Sequence, residues 1–315
     1  MAYYTGVCNS FDDIKNALKS HCVSNGWSAT TDSAGKDVIY KDNLYVMLTT
    51  TTSYFGVTGR TGVNEGSSPA PVGMRNFTPY KTTPCPGLIQ FPVQYFCFTY
   101  TDIDEVYFLI RYTNMYQWVA FGKSNIALPG TGLWVAGTVG CSGSSPNHIT
   151  IDTTGSGVSG YHTGYSTSAA LFWNAYAATD AWPAMNYWLH SNINTNYPWS
   201  LSTINIGYPY PIGIKYLTTH LHSQPNAFNQ QALFLPVLVY HASATYSGYY
   251  TLVAHIQKAR HMMINYIDPE TIIYHGDEQW MVFPYFKKVY QSPYTFSLSY
   301  VDHSGNFGWA IKKEA

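Results

Sequence analysis

Residues 91–123 have the sequence FPVQYFCFTYTDIDEVYFLIRYTNMYQWVAFGK, and this stretch decides the fold class. It contains three runs of β-branched and aromatic residues, each of strand length. Turn-forming residues separate the runs, whereas a buried helix would continue without such interruptions. The stretch therefore predicts a meander of three antiparallel strands.

The clearest helical pattern lies upstream, over Phe11–Asn25. Ser10 stands at the N-cap position, and Asp13 follows three residues later in a capping-box position. Gly26 stands where a helix commonly ends with a residue in the left-handed conformation. The apolar residues at helical spacing are Phe11, Ile14, Leu18 and Cys22. We predict an amphipathic helix here, with Trp27 folding back onto it.

Other segments extend this order of elements. Residues 36–50 predict strands joined by a turn near Asp42 and Asn43. Residues 56–87 are rich in Gly, Pro, Ser and Asn without periodicity, which predicts a long loop or an arm that reaches a neighbour; a mobile exposed loop is the alternative. Near the carboxyl end, two strands joined by a turn at His275–Glu278 precede a final strand, GNFGWAIKK.

The predicted fold class is α+β and predominantly antiparallel β. An amphipathic helix packs on the β meander, and a β-rich second half, sandwich or barrel-like, follows with long loops. We place a boundary near Leu128, which gives an N-terminal α+β domain over 1–127 and a β-rich domain over 128–315. A single interleaved domain is the alternative.

The composition is poor in charge and rich in tyrosine. Charged residues make up 10% of the 315, where a typical soluble domain has roughly 25%, and there are 29 Tyr. Tyrosine suits contact surfaces as well as cores, so the composition favours a protein covered by neighbouring subunits. The alternative is a large Tyr-rich core with a Ser, Thr and Asn surface. A net charge of -1 provides no field that would attract nucleic acid or an anionic membrane.

The cysteines and the amino end point to an intracellular origin. Five Cys, an odd number without a C-x-x-C pair, predict reduced and mostly buried thiols. MAYYTGVCNS has neither a basic nor an apolar signal region, and no apolar run approaches the roughly 18 residues of a membrane span. We expect the chain to fold in a cytoplasm.

The sequence contains no specific motif for nucleophilic catalysis, nucleotide binding or metal binding. Neither a G-x-S-x-G elbow nor a phosphate-binding glycine loop occurs. His220 and His222 alternate on a predicted strand and could bind a metal with His241 or His255, because alternate strand residues share a face. Polar strand residues at an interface are the favoured interpretation, since a single H-x-H without a nearby carboxylate is unspecific.

The carboxylates and tryptophans offer little support for glycoside chemistry. Glycosidases need two carboxylates across a cleft, and none of the five Glu lies in such a motif; surface or cap roles are expected for Glu65, Glu105, Glu270, Glu278 and Glu314. Core or subunit contacts are favoured over sugar stacking for Trp182, Trp188 and Trp199. Asp302 and His303 predict a turn closed by Gly305. No catalytic, cofactor-binding or metal residue is predicted, and no enzyme activity or cofactor.

Several segments, in order along nearly the whole chain, resemble those of virion structural proteins from tailed bacteriophages. They are MAYYTG with the capped helix and CVSNGW, DEVYFLIRY with YQWVAFG, LPGTGLW, SQPNAFNQQALFLP, HIQKARHMMINY, GDEQWMVFPYFKK and DHSGNFGWAIK. The resemblance implies a tail or baseplate subunit present in several copies, assembled in the host bacterial cytoplasm and located in the virion. The implied partners are other tail or baseplate proteins and copies of itself, without nucleic acid or a membrane span. The Gly/Ser-rich segment 137–168 has no counterpart in this pattern.

The expected function is mechanical: strands and loops pack against tube, hub or wedge proteins. The alternative is a receptor- or carbohydrate-binding module at the tail tip, in contact with the host surface, whose exposed Trp and Tyr would form the ligand surface.

Overall fold

The computed structural model describes residues 1–68, 71–76, 89–140, 187–192, 198–199, 234–242, 250–264, 266–285, 288 and 307–314. These residues form one helix and three antiparallel sheets. Sheet A has the order β1-β7-β8-β9-β10-β12. Its strands are β1 (Ala2–Cys8), β7 (Val93–Tyr100), β8 (Glu105–Tyr112), β9 (Met115–Lys123), β10 (Leu133–Gly137) and β12 (Tyr187–Leu189).

Sheets B and C flank sheet A. Sheet B has the order β11-β6-β5-β4-β3-β2. Its strands are β2 (Ser28–Thr31), β3 (Asp37–Lys41), β4 (Leu44–Thr50), β5 (Tyr54–Arg60), β6 (Val72–Arg75) and β11 (Val139–Gly140). Sheet C has the order β13-β14-β17-β16-β15. Its strands are β13 (Leu235–Ala242), β14 (Tyr250–Met263), β15 (Ile272–His275), β16 (Glu278–Pro284) and β17 (Phe307–Lys313).

The helix α1 spans Phe11–Ser24, as its capping pattern predicted. The Ser10 hydroxyl accepts the Asp13 N–H at 3.0 Å, and the Asp13 carboxylate accepts the Asn9 N–H at 2.8 Å. Gly26 has a φ of +87°, and the Trp27 N–H donates to the Cys22 carbonyl, so the chain turns back onto the helix. The four apolar residues of the predicted stripe are all buried.

Sheet A is buried on both faces. In β8, Val106, Phe108 and Ile110 pack into a core shared with α1 and sheet B. The intervening Tyr107 and Leu109 pack into a second core shared with sheet C. Because successive strand residues point to opposite faces, two covered faces account for the nearly continuous apolar run of β8. The described structure is therefore three layers deep, with sheet A in the middle.

The structure confirms the predicted fold class. The antiparallel meander β7-β8-β9 lies where the sequence placed it. β3 and β4 are joined at Asp42, which has a φ of +51°, and the β15-β16 hairpin turns at Gly276 and Asp277. Each described sheet has an open strand order, so none of the three closes into a barrel.

The prediction of one aperiodic loop over 56–87 is wrong in part, because β5 continues to Arg60 and β6 follows at Val72–Arg75. Glycines in these strands serve close packing and not turns. A Cβ added at Gly59 would lie 2.5 Å from the Trp199 ring, and one at Gly73 would lie 2.1 Å from the Phe55 carbonyl oxygen. Residues 77–88 lie outside the described part of the chain.

Strand pairing crosses the predicted boundary at 127 and 128. β9 precedes this boundary, β10 and β12 follow it, and all three strands lie side by side in sheet A. The division of the chain into two domains stays a prediction.

Candidate functional site: polar contacts between sheets A and C

One strand face carries the polar contacts between sheets A and C. Alternate residues of β8 point toward sheet C. They are Glu105, Tyr107, Leu109 and Arg111. Tyr107 and Leu109 join the apolar core between the two sheets. Glu105 and Arg111, at opposite ends, hydrogen-bond to residues on the sheet C side of the interface. The face therefore has an apolar centre with one acidic and one basic end.

Glu105 binds a bulge in β14. Pro236 of β13 pairs with Arg260, but the next residue, Val237, pairs with Ile256, so residues 257–259 have no partner in β13. The N–H of Gln257 donates to Glu105 Oε1 at 2.8 Å, and the N–H of Lys258 donates to Oε2 at 3.0 Å. A single carboxylate thus satisfies two amide groups of the bulge.

A third donor comes from β8 itself. The Tyr107 hydroxyl donates to Glu105 Oε2 at 2.7 Å, and Glu105 is only 1% exposed. Burial raises the pKa of Glu105 to about 7, against the opposing effect of these three hydrogen bonds and of the Lys258 charge. Both carboxylate oxygens have internal donors, so the group acts as a fixed acceptor between the layers.

The Lys258 ammonium bonds to other carboxylates at the edge of this site. Its Nζ lies 2.8 Å from Asp102 Oδ2 and 3.0 Å from Glu314 Oε1. Burial lowers the pKa of Lys258, but the hydrogen bonds to these two carboxylates outweigh it and raise the pKa overall. The ammonium also lies 5.2 Å from the centre of the Tyr100 ring. These contacts tie β14 to the β7-β8 turn and to the end of β17.

Arg260 supports the same bulge through its carbonyl groups. Its Nη1 donates to the carbonyl oxygens of Gln257 at 2.7 Å and Ala259 at 2.8 Å. The guanidinium lies 5.0 Å from the centre of the Trp280 ring. An acid from sheet A therefore binds the amides of the bulge, while a base from β14 binds its carbonyls.

The opposite end of β8 is joined to sheet C through Glu270. Arg111 Nη1 and the Tyr116 hydroxyl each donate to Glu270 Oε1 at 2.7 Å. Arg111 Nη2 also donates to Gln94. Glu270 has a φ of +67° and its N–H donates to the Val282 carbonyl, so its side-chain contacts help fix the turn before β15.

Aromatic contacts fill the space between these polar ends. The Trp118 and Trp309 rings lie 4.8 Å apart, and Trp118 Nε1 donates to the Tyr285 carbonyl at 2.9 Å. Phe283 lies edge-on to Phe96, with ring centres 5.3 Å apart. Such aromatic pairs contribute about 0.5–1.5 kcal/mol beyond the area that they bury.

The residues considered for a metal site do not come together in the described part of the chain. His220 and His222 lie outside it, and only the backbone of His241 is described, paired with Thr251. The His255 N–H donates to Asn125 at 3.1 Å. The described residues contain no group of three or more His, Cys, Asp or Glu side chains that could hold a metal ion.

The five glutamates have different environments. Glu65 is exposed, as expected. The expectation of a surface position for Glu105 is wrong, although the carboxylate does cap backbone amides. Glu278 pairs with Lys312, and Glu314 with Lys258. Asp302 and His303 lie outside the described residues.

Two of the three tryptophans considered for sugar stacking are buried. Trp188 is 5% exposed and Trp199 is 4% exposed, and both belong to the core beneath sheet A. Trp199 Nε1 donates to the Gly66 carbonyl at 2.6 Å, and its ring lies 4.9 Å from the His190 ring. Trp182 lies outside the described part of the chain. The core position favoured for these residues is confirmed at 188 and 199.

The sequence contained a usable indication of the buried glutamate. Glu105 lies two and four residues before Tyr107 and Leu109, so all three side chains point to the same face of the strand. A sheet covered on both faces would therefore bury Glu105 as well. The bulge that receives it lies 152 positions further along the chain, which local patterns do not connect.

A scan against protein-family models finds no match to this chain, and a search of curated proteins likewise finds no match. In the part of the chain that the structure describes, no helix is long and apolar enough to cross a membrane.

Proposed function

We propose that this chain is a structural subunit of a bacteriophage tail or baseplate, which packs against tube, hub or wedge proteins and against copies of itself. The observation that carries the mechanical part of the proposal is the pair of charged ends of β8, each bound to a turn or bulge at sheet C. These groups join layers of the protein through hydrogen bonds within the chain.

Many of the chain's few charged side chains pair with one another. Among the residues that the structure describes, eight Lys and Arg side chains form ion pairs: Lys15, Lys19, Lys41, Arg60, Arg111, Lys258, Lys288 and Lys312. With only 10% of its residues charged, the chain has little unpaired charge to present at its surface. A low-charge surface suits a subunit covered by neighbours better than one that stays dispersed as a monomer.

The edge of sheet A supports the same proposal. Strand β1 has the sequence AYYTGVC without a charged residue, and Val7 is 63% exposed. Edge strands of free proteins usually carry charges or proline that prevent pairing with other chains. At the far edge of sheet C, Tyr274 of β15 is 71% exposed. Both edges have the character of surfaces that a neighbouring subunit covers.

The tail assignment comes from the ordered sequence segments that resemble virion structural proteins. Four of these segments coincide with parts of the layered core: the capped helix, the β8-β9 hairpin, the strand β16 and the strand β17. The resemblance therefore concerns residues that carry the fold.

The protein composition of purified particles tests the proposal. Particles of the phage that encodes the chain are purified, tails are separated from heads, and each fraction is quantified by mass spectrometry. We expect the chain in the tail fraction at several copies per particle. Its presence only in the lysate of infected cells, at any abundance, would refute a structural role.

Self-association of the purified chain is a second test. Sedimentation velocity should show oligomers or larger species that increase with concentration, because the apolar edges are left uncovered. A stable monomer at high concentration would count against a subunit that is normally enclosed. A glycan array tests the receptor-binding alternative, for which glycan binding by the isolated chain is the positive result.

A further inference from the structure

The contact between Glu105 and the β14 bulge can be made in two protonation states. When the carboxyl group is ionised, it accepts from the Gln257 and Lys258 amides and from the Tyr107 hydroxyl. When it is protonated at Oε2, the Tyr107 hydroxyl can rotate and accept, because a hydroxyl is both donor and acceptor. In that state Oε1 still accepts from the Gln257 amide, and the protonated Oε2 keeps a lone pair that accepts from the Lys258 amide. The geometry therefore accommodates a proton at this position.

We propose that Glu105 is a proton-responsive link between sheets A and C, which holds the β14 bulge more tightly when its carboxyl group is protonated. The physical reason is that the closed interface removes the carboxylate from water, and a buried charge is costly unless a partner compensates it. The Lys258 charge compensates the carboxylate only in part, because the ammonium is bound to Asp102 and Glu314. The proposal depends on the fold alone and is independent of the tail assignment.

The titratable and charged groups around Glu105 come from every element packed against it. They are Tyr100 of β7, Asp102 of the β7-β8 turn, Tyr107 of β8, Lys258 and Arg260 of β14, and Glu314 after β17. The two tyrosines stay neutral over the physiological range, because burial raises the pKa of each well above its ordinary value. Asp102 and Glu314 have lowered pKa values, so they stay ionised and keep Lys258 occupied.

The direction of the pH effect follows from linkage. Burial raises the pKa of Glu105 from an ordinary 4.5 to about 7 in the closed interface. The closed state therefore binds the proton more tightly than an opened state in which water reaches the carboxylate. As the pH rises through 7, closing loses this advantage, and opening of the bulge should become about tenfold more frequent between pH 6 and pH 8.

Carbon-13 NMR of the labelled glutamates tests the proposal directly, since the chain has only five. The side-chain carboxyl resonances of the full chain are followed from pH 4.5 to pH 9. We expect one resonance to titrate near pH 7 and to disappear in Glu105→Gln. The proposal is overturned if every resonance titrates below pH 6, or if the resonance that titrates near neutrality persists in Glu105→Gln.

Two matched tyrosine variants test the assignment of the titrating resonance to Glu105 even if the Glu105→Gln variant does not fold. Tyr107→Phe removes a donor that stabilises the ionised carboxylate, so the titration near pH 7 should move to higher pH. Tyr116→Phe removes a similar hydroxyl bonded to Glu270 and should leave that titration unchanged. Equal shifts in both variants, or none in Tyr107→Phe, would contradict the assigned geometry.

Amide hydrogen exchange measures the opening itself. Protection of the Gln257 and Lys258 amides, corrected for the intrinsic pH dependence of exchange, should fall about tenfold from pH 6 to pH 8 in the wild-type chain. Protection of amides in the β3-β4 hairpin provides the internal reference, because that hairpin lies in sheet B. Protection of the bulge that stays constant with pH, or rises, would overturn the proposal.

Discussion

The Glu105 carboxylate accepts the backbone N–H of Lys258 at 3.0 Å, while the Lys258 ammonium bonds to Asp102 and Glu314. Two oppositely charged residues thus meet through the peptide backbone and not as an ion pair. The Glu105 carboxylate accepts from the amides of the β14 bulge, and the Lys258 ammonium joins the edges of sheets A and C. Both contacts add to the aromatic core that joins sheet C to sheet A.

Replacing Glu105 with alanine should destabilise the fold by about 2–4 kcal/mol, because it leaves two amides and a hydroxyl buried without a partner and creates a cavity. Chemical denaturation monitored by tryptophan fluorescence measures the change in the free energy of unfolding. Glu65→Ala is the control: Glu65 is exposed, and the change should stay within about 0.5 kcal/mol. Equal effects of the two substitutions would show that the bulge does not depend on Glu105.

The Arg111–Glu270 pair should show a coupling free energy of about 0.5–1 kcal/mol, since both side chains are partly exposed and the pair is reinforced by Tyr116. A double-mutant cycle with Arg111→Met and Glu270→Gln measures this coupling. The coupling should decrease in 1 M salt, because the Debye length is then roughly 3 Å and the two charges are screened from each other.

The Lys15–Asp12 pair is the control for this cycle, because Asp12 is 68% exposed and the ions lie 3.6 Å apart. Its coupling should be close to zero. A coupling at Arg111 and Glu270 no larger than this control would mean that the second end of β8 contributes nothing to the contact with sheet C.

Gly73→Ala should destabilise the chain by about 2–3 kcal/mol, because the added methyl group overlaps the Phe55 carbonyl and forces β5 and β6 apart. Thermal unfolding of the variant measures the loss. Gly62→Ala is the matched substitution, since its methyl group would meet the nearest atom, in Glu65, at an ordinary 3.5 Å. If Gly73→Ala unfolds at the same temperature as Gly62→Ala, the close approach of the two strands is not present in solution.

Three cysteines should be inert in the native protein. Cys8, Cys22 and Cys97 are buried and free, and burial raises the pKa of the Cys8 thiol to about 12 and those of Cys22 and Cys97 well above their ordinary value. Because the thiolate is the reactive species, iodoacetamide at pH 8 should modify these thiols slowly. Peptide mass spectrometry separates them from Cys85 and Cys141, and the guanidinium-denatured chain provides the fully reactive reference. Rapid native modification of Cys22 would contradict its buried place on the core-facing side of α1.

Local patterns predicted the elements whose stabilising contacts are local. The cap at Ser10, the spacing of Ile14 and Leu18, and the alternating runs of β7, β8 and β9 all lie within short windows of sequence. Each element also agrees with the layer into which it packs. Such agreement between local preference and tertiary position is what makes an element predictable.

The features that the sequence did not predict depend on contacts between distant residues. β5 was expected to be a loop because of its glycines, yet Gly59 lies under the Trp199 ring, which is supplied by a much later segment. The sequence places Glu105 in a turn and predicts a surface or cap role, yet sheet C covers it while its carboxylate does bind backbone amides. A single sequence contains no pairing information that would connect such positions.

The position of the chain in an intact particle tests the central claim most directly. If the chain is the phage tail subunit that we propose, a cryo-electron microscopy map of its particle, at a resolution that separates β-strands, should contain several copies of the three-layer unit in contact with one another or with tail proteins. In these contacts we expect the uncharged β1 edge or the Tyr274 edge to be covered. A complete map of head and tail in which every density is assigned to other proteins would contradict the account.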